Sequence, residues 1–219
     1  MIKTIILTLF FPLTVFFSFS IGPEQSNRDE RQQNENIIKD DSIQLTVLVR
    51  QVYKWHMTNR LIDFPYKYKG PSDSIFVGID WETYNKNLEN FKKTNFFTDQ
   101  FISAHNHIAL SIDSSIKKVD IKWRNINDGI PIWDNDADYW CGCQDYPDNF
   151  WDMLTLTDIK IENNIASFYW TWDNIPNFDS HKFKMTAKKI GNRWKIDSLE
   201  GFKYYGSVAH YDSIIKDLK

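Results

Sequence analysis

The segment from residue 131 to residue 151, PIWDNDADYWCGCQDYPDNFW, concentrates carboxylates, both cysteines of the chain and several aromatic side chains without a helical or strand-like period. Three kinds of chemistry suit these residue types: binding of a hard metal ion, thiol redox chemistry, and ligand binding or proton transfer in a pocket. Each kind needs a different subset of the side chains to converge. The segment therefore supplies most of the candidate functional residues of the chain.

The first subset is an acidic repeat that resembles part of a calcium-binding loop. Asp134, Asp136 and Asp138 alternate, and Asp145 lies where the twelfth residue of such a loop would be. Oxygen ligands at this spacing suit Ca²⁺, but Tyr139 occupies the position at which these loops need glycine. The three alternating aspartates stay candidate metal ligands, although a solvated loop explains them better. We expect no cofactor.

The second subset is the pair of cysteines. Cys141 and Cys143 are separated only by Gly142, whose conformational freedom allows the tight turn that a disulfide would need. Export would place the pair in an oxidising compartment, which favours the disulfide. The surrounding carboxylates disfavour the thiolate that catalysis requires. We predict a structural Cys141–Cys143 disulfide, with two buried free thiols as the alternative and redox catalysis as a third.

The third subset would form a pocket. For proton transfer, a desolvated Asp145 is the candidate general base, and His56 and Tyr146 could steady the charge that forms. A structural role is the simpler explanation, since an Asp at a loop-to-strand junction often accepts backbone hydrogen bonds and aromatic rings are usually core. The candidate binding residues are Asp138, Trp140, Gln144, Asp145 and Tyr146.

The start of the chain predicts export. Residues 1–20, MIKTIILTLFFPLTVFFSFS, combine an early lysine, a short apolar run and small residues placed like a cleavage site, as in a secretory signal peptide. Residues 21–41 are polar and charged, which predicts a flexible tether. We therefore expect a periplasmic or extracellular protein, without a membrane span after cleavage, whose single domain covers residues 42–219.

The composition bears on the class of partner and on the type of core. The chain has a formal net charge of −3 and no polybasic stretch, so it offers no case for nucleic acid. Its aromatic fraction of 16% is high, so the core or a pocket must be rich in rings.

Three amphipathic helices are predicted in the first half of the domain. The first covers residues 42–59 with Asp41 as its N-cap, the second is capped by Asp80, and the third begins at Thr98. The apolar residues expected on the inner faces of the second and third helices are Trp81, Tyr84, Leu88, Phe91, Phe101, Ala104, Ile108 and Ile112.

After the acidic segment the apolar period changes to two. Four strands are predicted, over residues 153–161, 165–173, 181–190 and 193–199. Turn residues separate the first pair at Glu162-Asn163-Asn164 and the second pair at Gly191-Asn192. Helices followed by a meander of strands indicate an α+β domain in which N-terminal helices pack on a curved antiparallel sheet.

Several strings resemble a known family. Asp138-Tyr139-Trp140 and Gln144-Asp145-Tyr146, followed by a long hairpin and by GNRWKIDSL at residues 191–199, resemble domain of unknown function 3828, a family of exported bacterial proteins. The resemblance covers roughly residues 45–202 and implies a nuclear transport factor 2-like (cystatin-like) cone with the motif near the mouth of a cavity. The family more often has apolar or small residues at the two cysteine positions, and it implies no activity.

We expect a binding or interaction domain rather than an enzyme, recognising a small ligand or a protein partner through residues 138–151. One alternative is an isomerase- or hydratase-like enzyme with Asp145 as general base. Another is an immunity-type protein that occludes a basic toxin. Pairing into a homodimer through the sheet is also open. An inward-pointing Asp145 in an enclosed cavity would favour the enzyme, and a filled core beside an exposed loop would favour recognition.

Overall fold

The computed structural model describes residues 23–70, 75–118, 138–172 and 181–204. The predicted signal peptide, residues 1–20, and the metal candidates Asp134 and Asp136 lie outside these ranges. The chain divides into two compact units, Met1–Ile37 and Ile38–Lys219; of the first, only the start of a helix is described. Across the described residues, every helix is too short or too polar to cross a membrane.

The second unit combines helices with two antiparallel sheets, which confirms the α+β class. The helices are α1 (Pro23–Asn59, which starts in the first unit), α2 (Trp81–Thr94), α3 (Asp99–Lys118) and α4 (Glu200–Tyr204), with a 3-10 turn at Phe150–Asp152. The strands are β1 (Tyr66–Tyr68), β2 (Phe76–Ile79), β3 (Leu154–Glu162), β4 (Ile165–Trp172), β5 (Phe183–Ile190) and β6 (Arg193–Leu199).

Helix α1 begins at Pro23 instead of at the predicted Ser42, so the described residues of the expected flexible tether are helical. Proline suits a first helical turn, and the Glu, Gln and Arg residues that follow are good helix formers. Asp41 was predicted to cap this helix, and that prediction is wrong. Its side chain is buried within α1 and accepts hydrogen bonds from Lys189 Nζ at 2.6 Å and Trp194 Nε1 at 2.9 Å.

The starts of α2 and α3 were predicted correctly. Asp80 caps α2 by accepting hydrogen bonds from the backbone N–H and the hydroxyl of Thr83, and Thr98 accepts one from the backbone N–H of Phe101 at 3.1 Å. On α3 the expected inward position of Ala104 is wrong, because His105, a full turn after Phe101, is buried in its place and Ala104 is exposed.

The main sheet has the strand order β3-β4-β5-β6 and is antiparallel throughout, as predicted. Asn163 and Asn164 adopt positive φ values of 50° and 64° in the first hairpin turn, and Gly191 adopts 60° in the second. A bulge between Thr157 and Lys160 interrupts the first register, which increases local twist in this curved sheet. The small β1–β2 hairpin was not predicted.

Helix α1 packs on one face of the main sheet and closes a core of rings. Tyr53 of α1 accepts a hydrogen bond from Trp170 Nε1 at 2.8 Å, with ring centroids 5.2 Å apart, and Arg50 binds the Leu154 carbonyl of β3. The largest fully buried side chains include Trp140, Trp170, Trp172, Tyr53, Tyr84, Phe91, Phe150 and Phe168. Because rings fill the space between helix and sheet, the core is the aromatic one that the composition indicated.

Candidate functional site

The segment that starts at Asp138 is folded back on itself by short-range bonds. The Asp138 N–H donates to the Cys143 carbonyl at 2.9 Å, and the Asp138 carbonyl accepts from the N–H groups of Cys141 and Gly142. Gly142 adopts a φ of 64°, which glycine tolerates without strain, and the sulfurs of Cys141 and Cys143 are joined in a disulfide. This small closed turn fixes the direction of Trp140 in its middle.

Trp140 points into the core and is 1% exposed. Its indole N–H donates to Asp63 Oδ2 at 2.9 Å, and its carbonyl accepts a hydrogen bond from the Tyr53 hydroxyl. These bonds satisfy polar groups that would be costly to bury alone. Trp140 was a candidate binding residue; the structure makes it the anchor of the segment.

A buried chain of polar groups extends from this anchor. Asp63 accepts a hydrogen bond from His105 Nε2 at 3.2 Å, and His105 Nδ1 meets the Tyr84 hydroxyl at 2.9 Å. With Nε2 donating to the carboxylate, a neutral imidazole would accept from Tyr84 at Nδ1. Burial raises the pKa of Tyr84, and the charge of Asp63 raises it further, so this hydroxyl remains a donor at neutral pH. Asp63, His105 and Tyr84 are all buried, so the hydrogen bonds between them stabilise the fold.

Beside the anchor lies an open cleft of about 610 Å³ at the C-terminal end of α1. Three of the predicted site residues, His56, Asp138 and Tyr146, line it together. The other lining residues are Met57, Arg60, Leu61, Pro147, Asp148, Asn149 and Trp151. The cleft therefore joins the last turn of one helix to a loop that follows much later in the chain.

His56 forms part of the wall of the cleft. Its imidazole is 7% exposed and stacks on the Trp140 indole, with centroids 4.0 Å apart and an angle of 22°. Within the described part of the chain, Nδ1 of this ring is buried without a hydrogen-bond partner. Burial lowers the pKa of His56, while the charges of Asp63 and Asp138 partly oppose that shift. The imidazole is therefore neutral at pH 7.

Asp138 is a second carboxylate, after Asp63, whose charge acts on this imidazole. Its Oδ1 accepts the Trp140 N–H at 2.8 Å, which fixes the orientation of the carboxyl group. Burial raises the pKa of Asp138, and the charge of Asp63 adds to the shift, whereas the Trp140 bond and His56 oppose it. The pKa values of His56 and Asp138 thus move toward each other. Such a pair is suited to exchanging a proton with a bound molecule.

The remaining predicted residues lie at the edge of the cleft or beyond it. Tyr146 lines the cleft, is 39% exposed and packs against Phe150 with centroids 5.1 Å apart. Burial raises the pKa of Tyr146, helped by Asp138 and opposed by Arg60. Gln144 and Asp145 are exposed and do not line the cleft. The structure therefore leaves Asp145 outside the cleft that His56 and Tyr146, its expected partners in proton transfer, line.

Several cleft residues were not anticipated from the sequence. Arg60 follows the last turn of α1, where it adopts a φ of 47° and its N–H donates to the His56 carbonyl at 3.0 Å. Asp148 and Trp151 come from the loop and the 3-10 turn before β3. The predicted end of the helix at Asn59 could have marked Arg60 as a candidate site residue, because functional residues often lie in the loop that follows a helix.

Among the described residues, no group of three or more His, Cys, Asp or Glu side chains could hold a metal ion. Comparisons with known proteins place the chain in no group. The sequence matches no protein-family model, and neither a curated protein nor a solved structure matches it.

Proposed function

We propose that this chain is an exported binding domain that recognises a small polar ligand in the cleft beside Trp140. The observation that carries the proposal is the convergence of His56 on one open cleft with Asp138 and Tyr146, which follow much later in the sequence. Aromatic walls with a few polar groups are typical of ligand sites. Export rests on the sequence of residues 1–20.

We also propose that the domain is a nuclear transport factor 2-like cone related to domain of unknown function 3828. Support comes from the order of elements, with three helices before a four-stranded antiparallel meander, and from helix α1 packed on the sheet. Of the string at residues 138–146, Asp138 and Tyr146 line the cleft, and residues 193–199 form the last strand of the meander.

The position of Asp145 favours a binding function over a catalytic one. That carboxylate is exposed and outside the cleft, and the space between α1 and the sheet is filled by rings. A general base needs to reach a bound substrate and gains from desolvation. Asp145 has neither advantage.

The binding function can be tested by measuring the melting temperature of the chain in the presence of a library of small molecules. Ligands of the cleft should raise the melting temperature of the chain, and Tyr146→Ala should abolish or strongly reduce that rise. Tyr68→Ala is the matched control, because Tyr68 is 42% exposed, close to the 39% of Tyr146, and does not line the cleft. Ligands that stabilise all three proteins equally would contradict a site in this cleft.

A second candidate function, a proton-transferring enzyme of the isomerase or hydratase kind, is favoured by the His56–Asp138 pair. Both groups line one cleft, and burial lowers the pKa of His56 and raises that of Asp138, which brings both toward the range in which a side chain can transfer a proton. Exchange of a carbon-bound proton of a bound ligand with deuterated water, followed by NMR, is the test. Activity that survives His56→Gln but not Asp145→Asn would reject this assignment and restore Asp145.

A further inference from the structure

The walls of the cleft present charges of both signs. Arg60 contributes a guanidinium, and Asp138 and Asp148 contribute carboxylates. In the part of the chain that the structure describes, none of the three takes part in an ion pair, whereas lysines elsewhere pair with Asp41 and Asp113. The cleft thus offers both charges to a bound molecule.

Aromatic and apolar side chains also line the cleft beside these charges. Trp151 is half-buried, Tyr146 is partly exposed, and Met57 and Leu61 of the α1 end complete this part of the wall. The cleft is open to solvent, so a ligand can keep one end outside while its charged groups are inside. A molecule with an apolar or aromatic body would remove this surface from water.

We propose that the cleft binds a zwitterionic small molecule of the α-amino-acid type. Arg60 holds the carboxylate by paired N–H bonds, Asp138 holds the ammonium group, and the side chain of the ligand lies against Trp151 and Tyr146. This inference rests on the proposed function and names its ligand class.

Ligands of a single charge fit the same wall less well. An anion without an ammonium group would face Asp138 and Asp148, and an amine without a carboxylate would face Arg60. Like charges in contact are unfavourable, and a neutral ligand would desolvate these groups without pairing them. A zwitterion pairs with one group of each sign, Arg60 and Asp138, while the exposed Asp148 keeps its contact with water.

Isothermal titration with matched ligands tests the proposal. The probes are free phenylalanine and leucine, their N-acetyl forms without the ammonium charge, the corresponding amines without the carboxylate, and glucose. We expect the free amino acids to bind, and each blocked form to bind at least about tenfold more weakly, as the loss of one charged hydrogen-bonding group requires.

Variants assign each charge to a residue. Arg60→Gln should weaken binding of the free amino acid about tenfold or more, whereas binding of the amine should not weaken, because the amine loses only an unfavourable like charge. Asp138→Asn should weaken binding of the free amino acid, whereas binding of its N-acetyl form should not weaken, because that anion loses an unfavourable like charge. Matched controls are Arg193→Gln and Asp99→Asn, two exposed charges outside this cleft, and both should bind like the unaltered chain.

Other outcomes overturn the inference in distinguishable ways. If amines, acids or glucose bind as tightly as the amino acids, the ligand class is wrong while the cleft remains a binding site. If no probe binds, the ligand class is wrong and the library experiment decides the function separately. Should Asp138→Asn fail to fold, Arg60→Gln with the amino acid and its amine still decides.

Discussion

At the scale of single residues, the site depends on polar groups that the core cannot leave unpaired. Asp63 is the centre of this arrangement, since it accepts hydrogen bonds from both Trp140 and His105. Trp140 in turn supports His56 by stacking and Asp138 by its backbone N–H. A carboxylate outside the cleft thus orients two groups within it.

Replacing Asp63 with alanine should therefore destabilise the fold strongly. The change would leave the indole N–H of Trp140 and an imidazole nitrogen of His105 buried without partners, which should cost about 3 kcal/mol. Urea unfolding followed by circular dichroism measures the free energy of unfolding. Asp99→Ala, which removes an exposed carboxylate, should cost less than about 1 kcal/mol. Equal losses in the two variants would reject the role given to Asp63.

His56 should make stability depend on pH. Because the folded state lowers the pKa of His56 below its ordinary 6.5, the unfolded chain binds its proton more readily. The contribution of His56 is present above the unfolded pKa and is lost as pH falls through the folded pKa. Asp138, whose pKa is raised, acts in the opposite direction at lower pH, since its contribution is lost as pH rises through its folded pKa.

The measurement is the free energy of unfolding at several pH values between about 7.5 and 5.5. Stability should fall as the solution is acidified, and His56→Gln should reduce the slope. A residual slope is expected from His181, whose pKa is also lowered by burial. An unchanged slope in His56→Gln would show that His56 is not buried in its neutral form.

At the scale of elements, the candidate segment is held from outside by close backbone packing. Gly201 in the first turn of α4 lies against the carbonyl of Tyr139, the residue before the anchor, and an added Cβ would collide with that oxygen. Phe202 beside it is buried and packs against the rings of Tyr139 and Trp140. Helix α4 is short, yet it sets the position of the segment from the far end of the sheet.

Gly201→Ala should accordingly displace α4 or the segment and cost about 3 kcal/mol, at the upper end for overpacking. Gly191→Ala provides the comparison. Nothing lies within 4 Å of its added Cβ, so only the positive φ of 60° is penalised and the loss should be about 1 kcal/mol. Thermal and urea unfolding of both variants measure the difference. A smaller loss at Gly201 than at Gly191 would mean that the contact with Tyr139 relaxes freely.

At the scale of the whole molecule, most helices and the strands of the main sheet were predictable from local patterns. The β1–β2 hairpin, helix α4 and the contacts between elements were not. The hairpin turn at Asn163-Asn164 and the cap at Asp80 follow local rules, so the sequence showed them. The bond between Asp63 and Trp140 joins residues 77 positions apart, and no local pattern marks it. The same limit explains why Asp145 was preferred as a base, since composition does not reveal which aspartate of a loop enters a cleft.

Asp41 links α1 to the last two strands of the main sheet and allows a test at this scale. It joins α1 to Lys189 of β5 and Trp194 of β6. Asp41→Ala would leave a partly buried ammonium and a buried indole N–H unpaired, so we expect a loss of about 3 kcal/mol in the free energy of unfolding. Gln44→Ala, which removes an exposed bond on the same helix, should change it by less than about 0.5 kcal/mol. Retained stability in Asp41→Ala would reject the link.

The stacking of His56 on Trp140 has an optical consequence. A protonated imidazole in contact with an indole quenches the fluorescence of the indole, whereas a neutral imidazole quenches it far less. Because the rings lie 4.0 Å apart at the wall of the cleft, part of the pH dependence of tryptophan emission should come from this pair and be absent in His56→Gln, beside a part from His181 stacked on Trp172. The difference in emission between the unaltered chain and His56→Gln would then follow protonation at the wall of the cleft without an attached dye.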